Sequence, residues 1–459
     1  MTTTTSSMQT HAPLGSTLRI AIVGGGMGGL ATALGLARNG FTHITVYEAA
    51  KDLGFVGAGI QVAPNLARQL QRLGVWEHLA TDAVKLESAD VRACASNEVL
   101  VRVPLAHVTE RYGQPHRVAH RSALANALFQ GCREAASYVT VHFNTNVLDV
   151  DFGDPRILVK ERGEPGNGRW VKADIIIGAD GIKSVIRKQM LAKHGEEDRA
   201  QDTGQASYRI MLNRTQMQDD PELLALVDAN SSFRWIGPRR HVIAYPISDH
   251  TIFNISTTQP DINFAAAPTA TYTTRADKQA MLNVFQDFCD VVQRMLKMVP
   301  EGEVCEWKLR VHSPLETWVE GKVVLLGDAC HPTLPHLGQG ASQAIEDAAV
   351  ISVVLSRIDD PADINIALRI YQRLRKSRTE FLVSQAAAAG RALHLTDPEA
   401  QALRDEAFRQ VANGGPNPDK WLDRQVQDFV YGFDCVADAE RQWVKLFAQE
   451  KSSANERSV

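Results

Sequence analysis

The segment that begins at Leu18 constrains the fold of this chain more than any other. Its first residues, Leu18–Val23, form an apolar run that is typical of a buried parallel strand. The run ends in Gly24-x-Gly26-x-x-Gly29 and continues into a helix rich in alanine and leucine. Glycine permits a tight turn at the first position, close approach of a pyrophosphate at the second, and close packing of the helix on the strand at the third. The pattern predicts a Rossmann-like unit that binds a dinucleotide.

An acidic residue follows at the position that such a unit requires. The segment His43–Tyr47 predicts a second strand, and it ends in Glu48. A carboxylate there accepts hydrogen bonds from the adenosine ribose hydroxyls and repels a 2′-phosphate. A glycine-rich turn without a ligand is the alternative, but the order of strand, helix, second strand and acid favours the dinucleotide site.

A second segment also places an acid at the end of a predicted buried strand. The run Ala173–Ile177 continues into Gly178-Ala179-Asp180-Gly181, and a helix is predicted to start near Ser184. A buried carboxylate is costly unless backbone N–H groups or a bound cofactor compensate it. The side chain of Asp180 therefore either contacts the cofactor or caps the helix, and the segment taken alone favours the cap.

A third segment combines strand, acid and glycine-rich turn. The predicted strand Val323–Leu326 is followed by Asp328, then by a loop that contains Pro335, and then by the turn Gly338–Ala341 at the start of an alanine-rich helix. The carboxylate of Asp328 suits the polyol linker of a flavin. Free N–H groups and the positive end of a helix dipole suit the electron-rich edge of a reduced flavin ring. An ordinary strand–loop–helix connection is the alternative, but the three segments together predict an FAD site.

Composition excludes several other classes of protein. The chain has 459 residues, 44% of them hydrophobic and 22% charged, with a net charge of -4. These values are typical of a globular protein of about two to three domains, and they argue against a nucleic-acid partner. The six cysteines form no C-x-x-C pair, so we expect neither disulfides nor a metal site. We expect Cys330, in the third segment, to be a small buried residue.

The termini are polar and of low complexity. Neither a secretory signal nor an apolar run of membrane-spanning length occurs, so the sequence predicts a cytoplasmic protein without a membrane span.

The middle of the chain has a different pattern. Beta-branched and aromatic residues alternate there, which predicts an antiparallel sheet with the strands Ala206–Leu212, Ser232–Ile236, His241–Pro246 and Thr251–Thr257. A helical stretch is predicted over Arg275–Met298. Beyond Glu346 the pattern is helical.

The motifs together resemble those of a known family, the single-component FAD-dependent aromatic hydroxylases of the p-hydroxybenzoate and salicylate hydroxylase type. The similarity covers roughly residues 18–385, and fungal salicylate-hydroxylase-like enzymes are the nearest in appearance. It depends on the segments GGGMGGL with Glu48, GAGIQVAPN, HRSAL, GADGIKSVIR and GDACHPTLPHLGQGASQAIEDA.

The resemblance implies an α/β fold with a Rossmann-like FAD-binding domain, an inserted antiparallel β-sheet substrate domain and C-terminal helices. The boundaries that we predict are 17–200 and 311–385 for the FAD-binding domain, 201–310 for the substrate domain, 386–450 for the C-terminal helices, and 1–16 and 451–459 for disordered or polar tails.

The resemblance also implies an activity. Family members use NADH or NADPH as a transient co-substrate, which agrees with the lack of a second GxGxxG in this sequence. Their reduced flavin reacts with O2 to give a C4a-hydroperoxide, which hydroxylates or dearomatises a small phenolic or aromatic acid. We therefore expect an aromatic monooxygenase that is a monomer or a homodimer.

Family resemblance places further residues at the cofactor. Arg121, at the start of a helix, is expected to contact the pyrophosphate or ribityl chain; a plain surface arginine is the alternative. The predicted cofactor-binding residues are Gly24, Gly26, Gly29, Glu48, Gly59, Gln61, Arg121, Asp180, Asp328, Pro335, Gly338, Gly340 and Ala341.

Three residues are candidates for catalysis. Arg209 and Tyr245 match positions that act on the substrate in dearomatising relatives: the arginine would hold an anion or the mobile flavin, and the tyrosine would bond the substrate oxygen. His336 would contact the substrate or relay a proton, since the pKa of an ordinary histidine suits neutral pH. The alternatives are a surface cation, a packed aromatic residue and a loop-stabilising histidine.

Two other functional classes remain open at this point. FAD-dependent reductases of the geranylgeranyl type and epoxidases have similar motifs, and they would act on a non-aromatic molecule. A flavin-binding redox sensor without turnover would bind FAD but would oxidise no NAD(P)H with any substrate.

Overall fold

The computed structural model describes residues 14–54, 58–198, 200–262, 273–275 and 277–457. The α-helices of this part of the chain are α1 Met27–Arg38, α2 Pro64–Arg72, α3 Glu77–Ala80, α4 Ala106–Tyr112, α5 Arg121–Glu134, α6 Val185–Lys193, α7 Pro221–Asp228, α8 Lys278–Val284, α9 Asp290–Lys297, α10 Gly340–Leu355, α11 Ile364–Leu393, α12 Pro398–Gln410, α13 Arg424–Tyr431 and α14 Cys435–Arg457.

The strands of the same residues are β1 Arg19–Val23, β2 His43–Tyr47, β3 Gly59–Val62, β4 Val84–Lys85, β5 Ser88–Ala93, β6 Val99–Pro104, β7 Arg117–His120, β8 Val139–His142, β9 Thr145–Asp151, β10 Arg156–Glu161, β11 Arg169–Lys172, β12 Ile175–Gly178, β13 Ala200–Asn213, β14 Ser231–Gly237, β15 Arg240–Ile247, β16 Ile252–Pro260, β17 Thr273–Arg275, β18 Cys305–His312, β19 Val319–Glu320 and β20 Val323–Leu325.

A six-stranded sheet forms the centre of the Rossmann-like part. Its strand order is β19-β20-β12-β1-β2-β8, and all neighbours are parallel except β19 and β20. The apolar runs predicted as buried strands occupy β1, β12 and β20, which are buried almost throughout. Helices α1, α5 and α10 pack beside this sheet. The architecture confirms the predicted α/β fold class.

An eight-stranded sheet forms the second layer of the molecule, in the order β17-β18-β13-β16-β15-β14-β5-β6. The four strands predicted for the middle of the chain are present as β13 to β16. Alternate residues of β13 point to opposite faces. On one face Tyr208, Ile210 and Leu212 join an apolar cluster with α7, α8 and α9. The other face contains Arg209 and is turned toward the Rossmann-like part.

Several elements differ from the sequence prediction. Residues Leu14–Ser16 form a 3-10 turn, and Leu14 packs against the main core. The stretch predicted as one helix from Arg275 to Met298 begins in β17 and is divided into α8 and α9. Helix α14 continues to Arg457, beyond residue 450 where we expected the helices to end.

Parts of some predictions lie outside the described residues. These parts are positions 1–13 and 458–459 of the two tails, position 57 at the start of GAGIQVAPN, and position 276 of the predicted helix. Among the helices that are described, none has both the length and the apolar character that a membrane span requires.

Candidate active site

The predicted cofactor residues of three separate segments meet at one edge of the six-stranded sheet. Gly24 follows β1, Glu48 follows β2, Asp180 follows β12, and Asp328 follows β20. These four strands are parallel neighbours, so their carboxyl ends lie side by side. In open α/β sheets this edge is where ligands bind.

The glycine turn after β1 has the geometry of a phosphate cradle. Gly24 has a φ of +103°, and a Cβ there would lie 2.4 Å from the carbonyl oxygen of Ala179. A Cβ at Gly29 would lie 2.0 Å from the carbonyl oxygen of Gly24, so helix and turn are in direct contact. A Cβ at Gly26 would meet no heavy atom within 4 Å among the described residues. The backbone at Gly26 therefore borders open space.

The start of α1 leaves backbone donors available for that space. Gly26 is the N-cap of α1 and supplies no side chain to the first N–H groups, and the first turn contains no acidic residue. The unsatisfied N–H groups and the helix dipole attract a negative group. The turn thus fits a pyrophosphate.

Glu48 is held next to this turn by two backbone donors. Its Oε2 accepts a hydrogen bond from the Gly25 N–H at 2.6 Å, and its Oε1 accepts one from the Ala50 N–H at 2.7 Å. An ionised carboxylate has about four acceptor sites, so each oxygen retains acceptor capacity for a hydroxyl donor. The position is suited to a ribose.

Asp180 has the contacts of a helix cap. Its Oδ2 accepts hydrogen bonds from the N–H groups of Val185 at 2.7 Å and Ile186 at 3.3 Å, and its Oδ1 accepts one from the Ser184 hydroxyl at 2.5 Å. Burial raises the pKa of Asp180. These contacts stabilise the start of α6, as the alternative interpretation of the sequence expected. A contact of Asp180 with the cofactor stays a prediction.

Asp328 faces an internal space. Solvent reaches its side chain, although the residue lies deep inside the protein and burial raises its pKa. Arg121 and Arg187 are near enough to oppose that rise in pKa. The guanidinium of Arg187 also donates to the Ala329 carbonyl at 3.1 Å and pairs with Asp198 at 3.0 Å. Arg187 thereby joins the second and third sequence segments, a role that we had not assigned from the sequence.

Arg121, Arg209 and Tyr245 lie close enough together to influence one another electrostatically. Burial lowers the pKa of Arg209 to about 10, and the positive charge of Arg121 lowers it further. Burial raises the pKa of Tyr245, while both arginines oppose the rise. The electrostatic influence of Asp328 also reaches Arg121. The structure thus brings together two predicted cofactor residues and two predicted catalytic residues.

Arg209 has an aromatic contact that the sequence did not indicate. Its guanidinium carbon lies 4.8 Å from the centre of the Trp307 ring, on the neighbouring strand β18. No ion pair of Arg209 with a carboxylate occurs within the described ranges. The cation is therefore positioned by an aromatic ring and not neutralised, and its side chain is only partly exposed.

Strand β3 connects the two sheets at the site. The Gly59 N–H donates to Asn254 Oδ1 at 2.6 Å, and a Cβ at Gly59 would lie 2.6 Å from the Tyr245 ring. Gln61 is buried and its Oε1 has no hydrogen-bond partner in the described structure. That oxygen lies 2.4 Å from where a Cβ at Gly338 would be, and Gly338 has a φ of +62°. Asn254 was missed in the sequence because its strand gave no local motif.

The loop of the third segment ends in a second open helix start. Pro335–Leu337 forms a 3-10 turn, and α10 begins at Gly340, next to Ala341, with no side-chain cap and no acid in its first turn. The N–H groups at this helix start are available to a ligand.

The environment of His336 differs from the prediction. The side chain is buried, and its ring lies 5.5 Å from that of His241 and 5.6 Å from that of His394. Burial, followed by the charge effects of His394 and Arg234, lowers the pKa of His336 to about 3. The expectation of a pKa near neutrality was therefore wrong, because removal from water disfavours the charged ring. Cys330 is buried as expected, and burial raises its pKa.

A buried ionic network connects the loop of the third segment with helices α10 and α11. Arg375 donates to Asp347 Oδ1 and Glu346 Oε2, both at 2.7 Å, and all three residues are fully buried. His331 is 2.5 Å from Asp347, and Asn65 donates to Glu346 at 2.7 Å. The network thus fixes α10, α11, the loop and the end of GAGIQVAPN. Sequence analysis missed it, although two adjacent acids in an alanine-rich buried helix require such partners.

Asn65→Leu tests how much this network contributes to the stability of the folded protein. We expect a loss of about 1–3 kcal/mol in the free energy of unfolding, because a buried carboxylate oxygen of Glu346 loses the shortest of its hydrogen bonds. Asn365, which donates to the Gly321 carbonyl at the surface, provides the matched control. Asn365→Leu should change the unfolding free energy by less than about 0.5 kcal/mol. Equal denaturation midpoints for both variants would contradict the structural role of the network.

Comparisons with known proteins agree with this geometry. A family model described as FAD binding domain matches residues 17–385. An FAD-dependent monooxygenase, ntnJ, from Nectria sp is 33% identical over 89% of this chain and 93% of its own. A 3-hydroxybenzoate 6-hydroxylase from Aquipseudomonas alcaligenes is 32% identical over 91% and 98% of the two chains.

A solved structure extends the likeness to the fold. The substrate complex of a salicylate hydroxylase matches with a TM-score of 0.74 at 23% identity, over 92% of this chain and 97% of that one. At this identity the match concerns the fold alone. Together with the family model and the two relatives, the cradle at the strand ends identifies the cofactor as FAD. The chain therefore belongs to the FAD-dependent monooxygenases of the aromatic hydroxylase type.

Proposed function

We propose that the protein uses NADH or NADPH and O2 to hydroxylate a phenolic acid with one aromatic ring. The names of relatives support this substrate class, since one of them acts on 3-hydroxybenzoate. The observation that carries the proposal is the un-neutralised cation of Arg209 beside Tyr245. FAD supplies the chemistry that transfers electrons from the nicotinamide to O2 when it is bound.

Arg209 is the anion contact in this proposal. Holding a guanidinium inside the protein without a carboxylate costs free energy, and the lowered pKa of Arg209 reflects this cost. A bound carboxylate or phenolate removes the cost, because it supplies the missing charge and accepts the guanidinium N–H groups. Trp307 fixes the plane of the guanidinium and thus the direction in which it can bind.

Tyr245 orients the substrate oxygen. Its raised pKa keeps the phenol protonated at neutral pH, so it acts as a hydrogen-bond donor. Its side chain is 5% exposed and is packed against Gly59, which limits its movement. A donor in a fixed position and a cation beside it favour the ionised form of a phenolic substrate. Electron-rich phenolates are the reactive form in aromatic hydroxylation.

We expect different groups of residues to contact different parts of FAD. We assign the pyrophosphate to the turn Gly24, Gly26 and Gly29, the ribose to Glu48, and a contact with the pyrophosphate or the ribityl chain to Arg121. We place the flavin ring at the start of α10, next to Gly340 and Ala341. Gly59, Gln61, Pro335 and Gly338 form the walls around the ring, and Asp180 supports the start of α6 behind it.

Asp328 is assigned to the ribityl chain, and this assignment is testable. We expect Asp328→Ala to weaken FAD binding by about 1.5–3 kcal/mol, the usual value of a hydrogen bond to a charged group. Titration of the apoprotein with FAD, followed by flavin fluorescence, measures the change. Asp219→Ala, in the exposed turn between β13 and α7, is the control and should bind FAD like the wild type. Unchanged affinity in the Asp328 variant would remove this residue from the FAD site.

The function itself is tested with a panel of benzoates that have one or two hydroxyl groups. We expect at least one of them to stimulate the oxidation of NADH or NADPH, with incorporation of one ¹⁸O atom from ¹⁸O2 into the product. Stimulation by an isoprenoid, and by no hydroxybenzoate, would show a reductase or epoxidase instead. FAD retention without any substrate-dependent oxidation would refute the proposal.

A further inference from the structure

A second cavity lies next to the proposed active site. It is a cleft of about 390 Å³ between strand β13 and the end of helix α11. Thr203 and Gln205 line one side, and Ala387, Arg391 and His394 line the other. Ala387 and Arg391 lie on one face of α11, and His394 directly follows the last residue of this helix. None of them belongs to the cofactor or substrate contacts assigned above.

The cleft borders the loop of the third segment, which leads to the start of α10. Leu334 lines the cleft and directly precedes the turn that begins at Pro335. Gly390 also lines the cleft, and a Cβ there would lie 2.7 Å from the His336 ring. The loop residue His336 thus packs directly against Gly390, and neither of its ring nitrogens has a hydrogen-bond partner in the described structure.

Strand β13 leads from the cleft to the anion contact. Gln205 and Arg209 are four residues apart and point to the same face of the strand. At about 3.3 Å per residue, the distance between them along the strand is about 13 Å. Ser207 lies between them on that face and is buried. Strand β13 thus joins the cleft to Arg209 over a short distance, with the buried Ser207 between them.

A cation without an ion pair in the described structure lies at each end of this route. Arg391 is exposed at the cleft and has no ion pair within the residues that the structure describes. Burial lowers the pKa of His394, and the charges of Arg234 and Arg404, which pair with Asp419 and Asp405, lower it further. Arg209 lies at the inner end. A sequence of cations with low-dielectric walls attracts an anion and raises its rate of association.

The size and lining suit the substrate class proposed above. Ligand pockets begin at about 300 Å³, so a cleft of this volume accepts a molecule with one ring. Leu334, Ala387 and Leu395 provide apolar surface, and Thr203 and Gln205 provide polar groups.

We propose that this cleft is the entrance through which an anionic, one-ring aromatic substrate reaches the flavin site, with Arg391 as its outer contact. The inference rests on the proposed function and adds a route and a selectivity for charge to it.

A blocking variant distinguishes an entrance from a binding site. In the FAD-loaded enzyme, stopped-flow absorbance of the flavin follows binding of the best hydroxybenzoate of the panel. We expect Ala387→Trp to slow association and dissociation by a similar factor of about ten, because the route changes while the bound state does not. The dissociation constant should then stay within about twofold of the wild-type value. Ala388→Trp, at the adjacent position of α11 outside the cleft, is the size-matched control.

A charge variant tests Arg391. We expect Arg391→Glu to lower the association rate of the hydroxybenzoate about tenfold at low salt, with a smaller effect at high salt. The methyl ester of the same acid lacks the charge and should associate with both proteins at the same rate.

Three results would overturn the inference. Unchanged rates in Ala387→Trp would place the entrance elsewhere. Slower reduction of the flavin by NADH or NADPH, with unchanged substrate binding, would make the cleft a nicotinamide site. Failure of the wild-type enzyme to bind any hydroxybenzoate would refute the proposed function and this inference with it, whereas normal binding with unaltered rates in the variants would refute the inference alone.

Discussion

Gly26→Val should give a folded protein that retains no FAD. The structure leaves open space in front of Gly26, so the added side chain meets no protein atom of the described chain within 4 Å at its Cβ. The same side chain occupies the position where we place the pyrophosphate, which needs direct access to the backbone N–H groups at the start of α1. The purified variant should therefore be colourless, and denaturation should release no flavin.

Variants of two other glycines distinguish a loss of FAD binding from a loss of folding. A Cβ at Gly29 would lie 2.0 Å from a backbone oxygen, so Gly29→Val should reduce the yield of folded protein as well as the FAD content. Gly153 is far from the site along the chain, and a Cβ there would only meet the Asp151 side chain at 3.6 Å. Gly153→Val should retain FAD at the wild-type ratio. A yellow Gly26→Val protein with one FAD per chain would exclude this turn as the cradle.

Local patterns explain why much of the cofactor site was predictable. The end of a parallel strand is visible in the sequence as an apolar run followed by a small or acidic residue, and this signal occurs after β1, β2, β12 and β20. Because those strands are parallel neighbours, the residues after them must meet at one edge. The positions of Gly24, Glu48, Asp180 and Asp328 at the sheet edge follow from that rule.

Contacts between distant segments were not predictable in this way. Strands β5 and β6 belong to the eight-stranded sheet because β5 pairs in parallel with β14, more than a hundred residues later in the chain. The low pKa of His336 depends on burial and then on the charges of His394 and Arg234, which lie on other elements of the chain. Arg209 is positioned by Trp307 of another strand. Sequence motifs describe single segments, so they contain no information about such partners.

Arg209→Met should keep FAD but form product at least about 100-fold more slowly, because a misplacement of about 1 Å at a reacting centre can cost that factor. Methionine retains much of the side-chain volume above Trp307 but offers no charge and no N–H donor. The substrate anion then loses its partner, and the ring is no longer held in one place. Product formation with saturating hydroxybenzoate, measured by mass, and the FAD content of the purified protein are the two readouts.

Arg214 provides the matched control for this change. It follows the same strand β13, but its guanidinium pairs with Asp228 at 2.8 Å at the surface. Arg214→Met should leave both the FAD content and the rate of product formation unchanged. A wild-type rate in Arg209→Met would show that the substrate anion is held by other residues, with Arg121 the nearest cation.

Tyr245→Phe separates orientation of the substrate from charge neutralisation at the same site. Phenylalanine keeps the packing against Gly59 and removes only the hydroxyl donor. Arg209 still binds the anion, so the hydroxybenzoate should continue to stimulate NAD(P)H oxidation. The ring is less well aligned, and a large share of the O2 consumed should therefore appear as hydrogen peroxide instead of product. The ratio of product to NAD(P)H consumed measures this loss, and a ratio equal to that of the wild type would mean that Tyr245 has only a packing role.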